Sequence, residues 1–298
     1  MKQLPSLNGL RAVSIGIVIL DHLLQFNLRL GSNVRLFVLS DGRFGVNVFF
    51  VISGFLITSL LLEEEKDAGK ISVRNFYVRR ILRIFPAYYF LLLTFGYLQL
   101  IGYLNVPPIF WIMLLTYTRY IRIRGEDYTG HAWSLSVEEN FYFLWPAAFR
   151  AGDRQRKGVA LFFVVIGPLV RTFLFLHPVE WIGTDSLFVR IAAIAMGCLV
   201  ALHRDKLLQW LTPRWPKLLY PAIIALFLLS DILRFSNLHG FGVVFVPFGG
   251  TIGSISNLVI ALIMLYSVYG PQGIWYKLLN SKPFNFLGIL SYSMYLWQ

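Results

Sequence analysis

Two ionisable residues stand out near the start of the chain. Arg11 and His22 flank residues 12–20, which are almost entirely Val, Ile, Leu, Ala and Gly. In a helix, a separation of eleven positions puts both residues on one face, about 16 Å apart along the axis. An imidazole can take a proton from a hydroxyl or attack a carbonyl, and a guanidinium can bind an anion. Since ionisable groups inside a membrane span usually face a polar interior, this pair is a candidate catalytic site.

Each residue of the pair also has a plainer interpretation. Arg11 lies in the first turns of its apolar segment, from which its side chain can reach the lipid headgroups. His22 can be a hydrogen-bonded histidine at the membrane interface. The two residues alone leave these interpretations open.

A carboxylate in a later apolar segment is a third candidate. Ser134, Glu138 and Tyr142 are spaced at i, i+4 and i+8, so a helix aligns their polar groups on one face. A carboxylate in such a segment needs a partner, and we expect Arg11 or His22 to provide it for Glu138. Glu139 points in another direction and is interpreted as a helix-start charge at an interface.

Arginines before another apolar segment suit phosphate binding. Arg79, Arg80 and Arg83 carry guanidinium groups that can bond phosphate oxygens bidentately. The alternative is an anchor that contacts lipid phosphates and fixes the topology. Ser53 and Gly54, in a separate apolar segment, let a ligand or another helix approach the backbone closely, with simple helix packing as the alternative.

The composition places these residues in a membrane protein. The chain has 298 residues, 57% of them hydrophobic and 14% charged, with a mean hydropathy of +0.64, which excludes an ordinary soluble domain. The net charge of +12 gathers between apolar spans, as the positive-inside rule predicts, so we expect no nucleic-acid binding. A single cysteine, Cys198, excludes internal disulfides and thiolate metal clusters, and no metal site is expected.

The apolar segments predict an all-α, polytopic bundle of about nine or ten transmembrane spans. Spans are expected at residues 7–26, 44–62, 84–104, 131–149, 158–176, 186–202, 218–233, 251–269 and 284–297. The shorter segment 107–120 is expected to be re-entrant or packed inside the bundle. Residues 27–42 are predicted to be a polar connector, and residues 235–250 an outer loop or partial helix.

The basic segment at residues 66–83 predicts a cytoplasmic loop and a cytoplasmic N-terminus. The first apolar segment has no cleavage site after it and is expected to be a retained helix. Residues 1–298 are therefore predicted to form one integral-membrane domain without a soluble domain or an internal repeat. The last span is too short to finish crossing, so we expect the natural chain to continue beyond Gln298.

Several motifs resemble the acyltransferase-3 family, in the right order over the whole chain. They are G-L-R at 9–11 with His22 downstream, F-F-V-I-S-G-F-L-I at 49–57, R-R-I-L-R-I-F-P-A-Y-Y at 79–89, W-S-L-S-V-E-E-N-F-Y-F-L-W-P at 133–146, and L-G-I-L-S-Y-S-M-Y-L-W at 287–297. Members of this family are integral-membrane enzymes that O-acylate surface polysaccharides, lipopolysaccharide and related carbohydrates. The resemblance implies that Arg11 and His22 form the essential pair. It also implies that Arg80 and Arg83 match the paired arginines, and that a further pattern, S-x-x-x-E-x-x-x-Y, corresponds to Ser134, Glu138 and Tyr142.

Two positions depart from the family pattern. Asn8 stands where the family often has Asp, which removes one carboxylate. Gln298 stands where many members have His, so that position cannot titrate.

The resulting hypothesis is O-acyl transfer at a bacterial inner (cell) membrane. The donor is a cytoplasmic acyl-CoA, acetyl-CoA above all, and the acceptor is a hydroxyl of a cell-surface or lipid-linked carbohydrate. His22 acts as base or nucleophile, Arg11 fixes the donor or stabilises the oxyanion, and Glu138 orients one of them. The CoA phosphates are assigned to Arg80 and Arg83, and supporting roles to Ser134, Tyr142 and Ser53. The expected partners are acyl-CoA, the carbohydrate and membrane lipids, with no bound cofactor.

Two other functions use the same residues. A transporter or flippase of a charged lipid or glycan would use buried polar groups as a translocation path, but no repeat typical of many transporters is visible. A non-catalytic membrane sensor or assembly protein is the third alternative.

Overall fold

The computed structural model describes residues 4–27, 42–123, 128–183, 186–215, 217–218, 221–222, 224 and 242–298. Within them lie eleven α-helices, one short 3-10 helix and two isolated β-bridges, with no strand, which confirms the predicted all-α class. The α-helices are α1 (Leu7–Asn27), α2 (Gly42–Ala68), α3 (Val73–Leu100), α4 (Pro108–Leu115), α5 (Ala132–Arg150), α6 (Asp153–Leu176), α7 (Leu187–Leu202), α8 (Arg204–Leu211), α9 (Gly242–Tyr269), α10 (Ile274–Leu279) and α11 (Lys282–Leu296). The 3-10 helix is Thr212–Arg214.

Three helices of the described chain are each long and apolar enough to cross a membrane, namely α2, α3 and α6. A fourth candidate is α7 together with residues 204–214, two pieces that meet at a bend of 77°. The count is lower than the nine or ten spans expected, partly because α7 has 16 residues and α11 has 15, fewer than the roughly 20 a span needs. Charged residues lower the hydropathy of α5. The chain is a multi-pass membrane protein.

The core of the bundle surrounds α2. Val51 and Phe55 are fully buried, and α2 packs most extensively against α7. The two helices touch through glycine: a Cβ atom on Gly54 would lie 1.9 Å from the Ile194 carbonyl oxygen, and one on Gly197 would lie 2.1 Å from the Val51 carbonyl oxygen. Glycine therefore lets these two backbones pack in direct contact.

The first helix lies between α2 and α11. On one side, the Ser14 hydroxyl donates a hydrogen bond to the Gly45 carbonyl of α2. On the other side, Asn8 donates to the Asn285 side chain over 2.7 Å, and the Asn8 carbonyl lies against Gly288 of α11. These contacts fix α1, which carries Arg11 and His22, next to two other helices.

Side chains rather than backbone contacts join α3 to α5. The Tyr77 hydroxyl donates to the Phe143 carbonyl over 2.8 Å, and Arg80 forms an ion pair with Glu139. Further along α3, an apolar cluster joins α3, α4, α5 and α11; it includes Ile84, Tyr88, Leu91, Leu114, Leu135 and Leu296. Polar side chains therefore join α5 to the earlier part of α3, and apolar side chains join it to the part further along.

Two element boundaries differ from the prediction. Helix α3 begins at Val73, eleven residues before the predicted start of its span, and the Ser72 hydroxyl caps it by accepting the Asn75 N–H over 3.3 Å. The predicted basic loop at 66–83 is thus mostly helical. The connection is short because Gly69 has a positive φ of 71°, which ends α2 tightly.

The short apolar segment 107–120 contains a helix that is packed inside the protein, one of the two arrangements predicted for it. Helix α4 has eight residues, of which Phe110, Met113 and Leu114 are buried inside the protein. Most of the predicted span at 218–233, most of the polar connector at 27–42, and residues 235–241 of the predicted outer loop lie outside the described residues. Residues 242–250 of that loop belong to α9.

Candidate active site

Helix α5 supplies the acidic centre of the site. The Tyr142 hydroxyl donates a hydrogen bond of 2.6 Å to the Glu138 carboxylate, one helical turn away. Tyr142 is buried, and its hydroxyl also contacts the Ser53 side chain of α2. The i, i+4 alignment predicted for Glu138 and Tyr142 is therefore present, and Ser53 joins it from a second helix.

Arg80 of α3 lies on top of this pair. Its guanidinium carbon is 3.3 Å from the centroid of the Tyr142 ring, which is a cation–π contact. Its Nη2 donates to Glu139 over 3.0 Å, with only 19% of the Arg80 side chain and 13% of the Glu139 side chain exposed. Arg80 is thus held by two α5 residues at once.

Glu139 is a site residue that the sequence interpretation missed. We expected a helix-start charge at an interface, but the structure places it inside the protein as the partner of Arg80. The rotation of about 100° between consecutive helix residues turns Glu139 away from Glu138 and towards α3. The sequence signal for this role is that Glu139 directly follows a second carboxylate, Glu138, within an apolar segment.

Arg11 of α1 completes the charged cluster. It interacts electrostatically with Glu138 and Tyr142, and also with the arginines Arg80 and Arg83. Arg11 and Glu138 are therefore within electrostatic range of each other, but no ion pair joins them in the described part of the chain. Three arginines against two carboxylates leave the cluster, which comprises Arg11, Arg80, Arg83, Glu138 and Glu139, with one positive charge in excess, a balance that suits an anionic ligand.

His22 lies at the far end of the same helix. Continuous α-helix between Arg11 and His22 separates them by about 16 Å along the axis. The His22 Nδ1 atom is buried and has no hydrogen-bond partner among the described residues. An imidazole nitrogen in that state is able to accept a proton from a bound ligand. The neighbouring Asp21 lies against Gly42, so this end of α1 faces the start of α2.

Arg83 differs from Arg80 in its surroundings. It lies one turn further along α3, is exposed, and makes no ion pair with any described carboxylate. A guanidinium in this state can bind phosphate oxygens without first breaking an internal bond. The two arginines predicted to act together are therefore not equivalent.

The Ser134 side chain contacts α11 and does not contact Glu138. Its hydroxyl donates to the Tyr295 hydroxyl over 2.6 Å, and Tyr295 donates in turn to the His131 carbonyl over 2.9 Å. The three polar groups predicted to share one face of α5 therefore have different partners. Glu138 and Tyr142 belong to the charged cluster, whereas Ser134 contacts α11.

A strained residue supports the site from the connection after α4. Tyr117 has a φ of 53°, in the left-handed region, and its carbonyl accepts a hydrogen bond from Asn140 of α5 over 2.8 Å. Its ring stacks on Tyr88 of α3 with centroids 5.1 Å apart. Burial raises the pKa of the Tyr117 phenol, so that it stays protonated at neutral pH.

The part of the chain that the structure describes contains no cluster of metal-ligating side chains. No group of three His, Cys, Asp or Glu side chains there is placed to hold an ion. The chemistry available from the described residues is that of a base, charged hydrogen-bond donors and carboxylates.

The chain is similar to known acyltransferases. A family model described as an acyltransferase domain, that of acyltransferase-3, matches residues 4–298. O-acetyltransferase OatA of Staphylococcus aureus (strain NCTC 8325 / PS 47) is 30% identical over an alignment of length 333. The alignment covers all of this chain and 50% of the relative. Peptidoglycan O-acetyltransferase OatA of Listeria monocytogenes serovar 1/2a (strain ATCC BAA-679 / EGD-e) is 26% identical and is covered over 49% of its length.

The chain thus spans about half the length of the curated relatives it matches. No solved structure matches it significantly. The motifs around Arg11, Arg80 and Glu138 predicted the family, and the match over residues 4–298 shows that this chain belongs to the acyltransferase-3 family of acyltransferase domains.

Proposed function

We propose that this protein is a membrane O-acyltransferase that moves an acyl group, acetyl in the first instance, from acyl-CoA to a carbohydrate hydroxyl. The observation that carries the proposal is the arginine–carboxylate cluster near the start of α1 together with the buried His22 Nδ1 atom near its end, which has no hydrogen-bond partner among the described residues. The family match and the names of the relatives support the same activity.

His22 is the proposed base in this reaction. The acceptor hydroxyl oxygen attacks the thioester carbonyl carbon while its proton passes to the imidazole. The tetrahedral intermediate then breaks its carbon–sulfur bond, and the CoA thiolate takes the proton from the imidazolium. His22 as a nucleophile would form an acyl-imidazole first and transfer the acyl group in a second step.

Arg11 is better suited to holding the donor than to stabilising the oxyanion. The two residues lie about 16 Å apart along α1, so both side chains reach one carbonyl group only if each extends along the helix axis towards the other. The flexible pantetheine arm of CoA can extend between the two positions. Glu138 and Tyr142 then keep Arg11 and Arg80 in place. Ser53 supports Tyr142 directly, and Ser134 supports α5 through its bond to Tyr295 of α11.

The CoA phosphates are assigned to the arginines of α3. Arg83 is exposed and makes no described ion pair, whereas Arg80 is already bound to Glu139. Arg83 therefore provides the direct phosphate contact, and Arg80 adds positive charge from a fixed position.

The proposed setting is a bacterial cell membrane, with residues 1–298 forming one membrane domain and the N-terminus in the cytoplasm. The junction of α2 and α3 supports this orientation, because Lys66, Lys70, Arg74, Arg79, Arg80 and Arg83 lie at or near it. The same orientation opens the arginine cluster to cytoplasmic acyl-CoA. The acceptor is a cell-surface or lipid-linked carbohydrate, and the Listeria relative's name makes peptidoglycan the first acceptor to test.

The test measures free CoA released from acetyl-CoA by the full-length protein in detergent, with and without soluble peptidoglycan fragments. We expect CoA release that depends on the fragments, and acetyl groups that appear on them in equal amount. Buried Cys198 should contribute little background to a thiol assay. If the protein instead moves a glycan across vesicles and leaves acetyl-CoA unchanged, the enzyme proposal fails and a transporter replaces it.

A further inference from the structure

An apolar groove lies apart from the arginine–carboxylate cluster, between α6, α7, α8 and α9. Its volume of about 430 Å³ falls within the range of small-molecule sites, about 300–1,000 Å³. The described apolar side chains that line it are Leu161, Met196, Leu199, Val200, Leu207 and Leu258. Each of the four helices therefore contributes an apolar wall.

The polar side chains of the described lining, Lys157 and His203, lie at one end of the groove. Lys157 lies near the start of α6, and His203 directly follows α7. Further along α6 and earlier in α7, Gly167 packs against Ala192, so the two helices are antiparallel. His203 is held at the end of its own helix, with its Nδ1 atom 3.0 Å from the Leu199 carbonyl oxygen.

The groove opens on the outer surface of the bundle. Its floor is formed by α7, where Met196 and Val200 are buried, whereas Leu161 of α6 and Leu258 of α9 are exposed. Gly158 widens the opening, because nothing lies within 4 Å of the position that its Cβ atom would take. Lipid chains are as apolar as leucine, so they can fill the groove, but an apolar lining alone does not select one lipid.

Helix α8 marks the level of the membrane surface. Residues 204–214 meet α7 at a bend of 77°. Leu211 is buried and Leu207 packs against the core, whereas Lys206 is exposed. Trp210 is also exposed, and the Arg214 guanidinium carbon lies 4.8 Å from the centroid of its ring. An amphipathic helix with an exposed tryptophan is typical of the membrane–water interface, so the polar end of the groove lies at the lipid headgroups.

Positive charge predominates at this end of the groove. The basic residues there are Arg150, Arg154, Arg156, Lys157, Arg204 and Lys206, and the carboxylates bound to them or near them are Glu63, Glu65, Asp153 and Asp205. Arg156, Lys157 and Arg204 are each bound to a carboxylate. Arg154 and Lys206 are exposed and form no ion pair with any described carboxylate, so they are available to an anion.

These two cations lie on either side of the polar end. Arg154 precedes Gly158 by four residues and Leu161 by seven, so all three share one face of α6. Lys206 directly precedes Leu207 of α8. A phosphate at this end can accept hydrogen bonds from the guanidinium and the ammonium while an attached chain extends along the leucines.

We infer that the groove holds one phospholipid with an anionic headgroup, whose phosphate lies between Arg154 and Lys206 and whose acyl chain lies along Leu161, Met196 and Leu258. A zwitterionic lipid has the same chains, but the excess of positive charge repels its ammonium group. The groove shares no residue with the arginine–carboxylate cluster, so its occupant does not depend on the proposed acyl transfer.

The test adds phosphatidylglycerol or phosphatidylcholine with the same acyl chains to the full-length protein in detergent, and native mass spectrometry counts the retained lipid. We expect wild type to retain phosphatidylglycerol in preference to phosphatidylcholine. Arg154→Gln should weaken the retention of phosphatidylglycerol by about 5-fold, the effect of one basic residue near a lipid surface, and leave that of phosphatidylcholine unchanged.

Gly158→Phe tests the groove itself. The added ring takes up the open space beside Leu161, so retention of phosphatidylglycerol should fall at least as far as in Arg154→Gln. Gly16→Phe is the matched control, because Gly16 of α1 is also exposed with nothing within 4 Å of the new carbon, but it lies outside the groove. That control should retain both lipids as wild type does.

Equal retention of the two lipids by wild type overturns the site, since it means that the groove holds any lipid. Unchanged retention of phosphatidylglycerol in Arg154→Gln contradicts the headgroup contact, and unchanged retention in Gly158→Phe contradicts the position of the chain. If Gly158→Phe does not fold, Arg154→Gln still decides, because it changes an exposed side chain that forms no described ion pair.

Discussion

Arg80 is the residue on which the contacts of the charged cluster converge. It stacks on Tyr142, pairs with Glu139 and lies in the field of Glu138 and Arg11. A buried charge held this way is costly to leave without its partner. Its position is therefore expected to depend on Glu139.

We predict that Glu139→Gln lowers the free energy of unfolding by about 1–3 kcal/mol, because a charge-assisted bond in a mostly buried pair is lost. Donor binding should weaken as Arg80 moves. Thermal unfolding in detergent and the KM for acetyl-CoA measure the two effects.

Glu64→Gln is the matched control, because Glu64 of α2 pairs with Arg79, the neighbour of Arg80 on α3. The Arg79–Glu64 pair has a similar distance of 2.8 Å, but 58% of the Arg79 side chain is exposed. Such a pair contributes about 0–1 kcal/mol, so the variant should behave almost as wild type. Equal destabilisation by both variants would show that Glu139 has no special part in the cluster.

Helix spacing predicts only part of how the candidate residues are arranged. The i, i+4 spacing predicted that Glu138 and Tyr142 share one face of α5, and in the structure these two side chains form a hydrogen bond. Neither the Ser134–Tyr295 bond nor the Arg80–Glu139 pair follows from spacing. Both join residues of different helices, and their partners depend on how those helices pack.

At the scale of elements, the contact between α2 and α7 holds the bundle together. Gly54 and Gly197 leave no room for a side chain between the two backbones. Helix packing is one of the two roles expected for Gly54, and the close approach of Ile194 supports that role. The adjacent Ser53 contacts Tyr142 of α5 through its side chain.

We predict that Gly54→Ala destabilises the protein by about 1–3 kcal/mol or more, because the added carbon overlaps the Ile194 carbonyl and forces α2 and α7 apart. The loss of folded, monodisperse protein and a lower melting temperature in detergent measure this effect. Gly158→Ala on α6 is the control, since nothing lies within 4 Å of the new carbon. That control should be neutral or stabilise by about 0.5–1 kcal/mol. Comparable melting temperatures for the two variants would refute the tight α2–α7 contact.

The apolar segments predicted the positions of most helices, but their starts were less certain. Helix α3 begins at Val73 because Ser72 caps it, and the polar residues of its first turns gave no apolar signal. That extension puts Arg80 and Arg83 on a rigid helix. Hydropathy marks the part of a helix in the membrane, whereas capping decides where the helix begins.

On the scale of the whole molecule, α1 connects the two ends of the site. Arg11 belongs to the arginine–carboxylate cluster and His22 lies about 16 Å away on the same helix. The separation favours a donor bound at one end and proton transfer at the other. The family match covers the whole of this arrangement, residues 4–298, and supports acyl transfer as its use.

The most direct test compares the rate of acceptor-dependent CoA release between wild type, His22→Ala and His203→Ala. The three proteins are compared at equal amounts of folded protein. His203 lies between α7 and α8 with its Nδ1 atom 3.0 Å from the Leu199 carbonyl oxygen, outside the charged cluster, and controls for the loss of an imidazole. We predict a fall of about 100-fold or more in turnover for His22→Ala, the usual contribution of a general base or nucleophile, and near wild-type turnover for His203→Ala. Turnover by His22→Ala within about twofold of wild type would contradict the role of His22 as base or nucleophile.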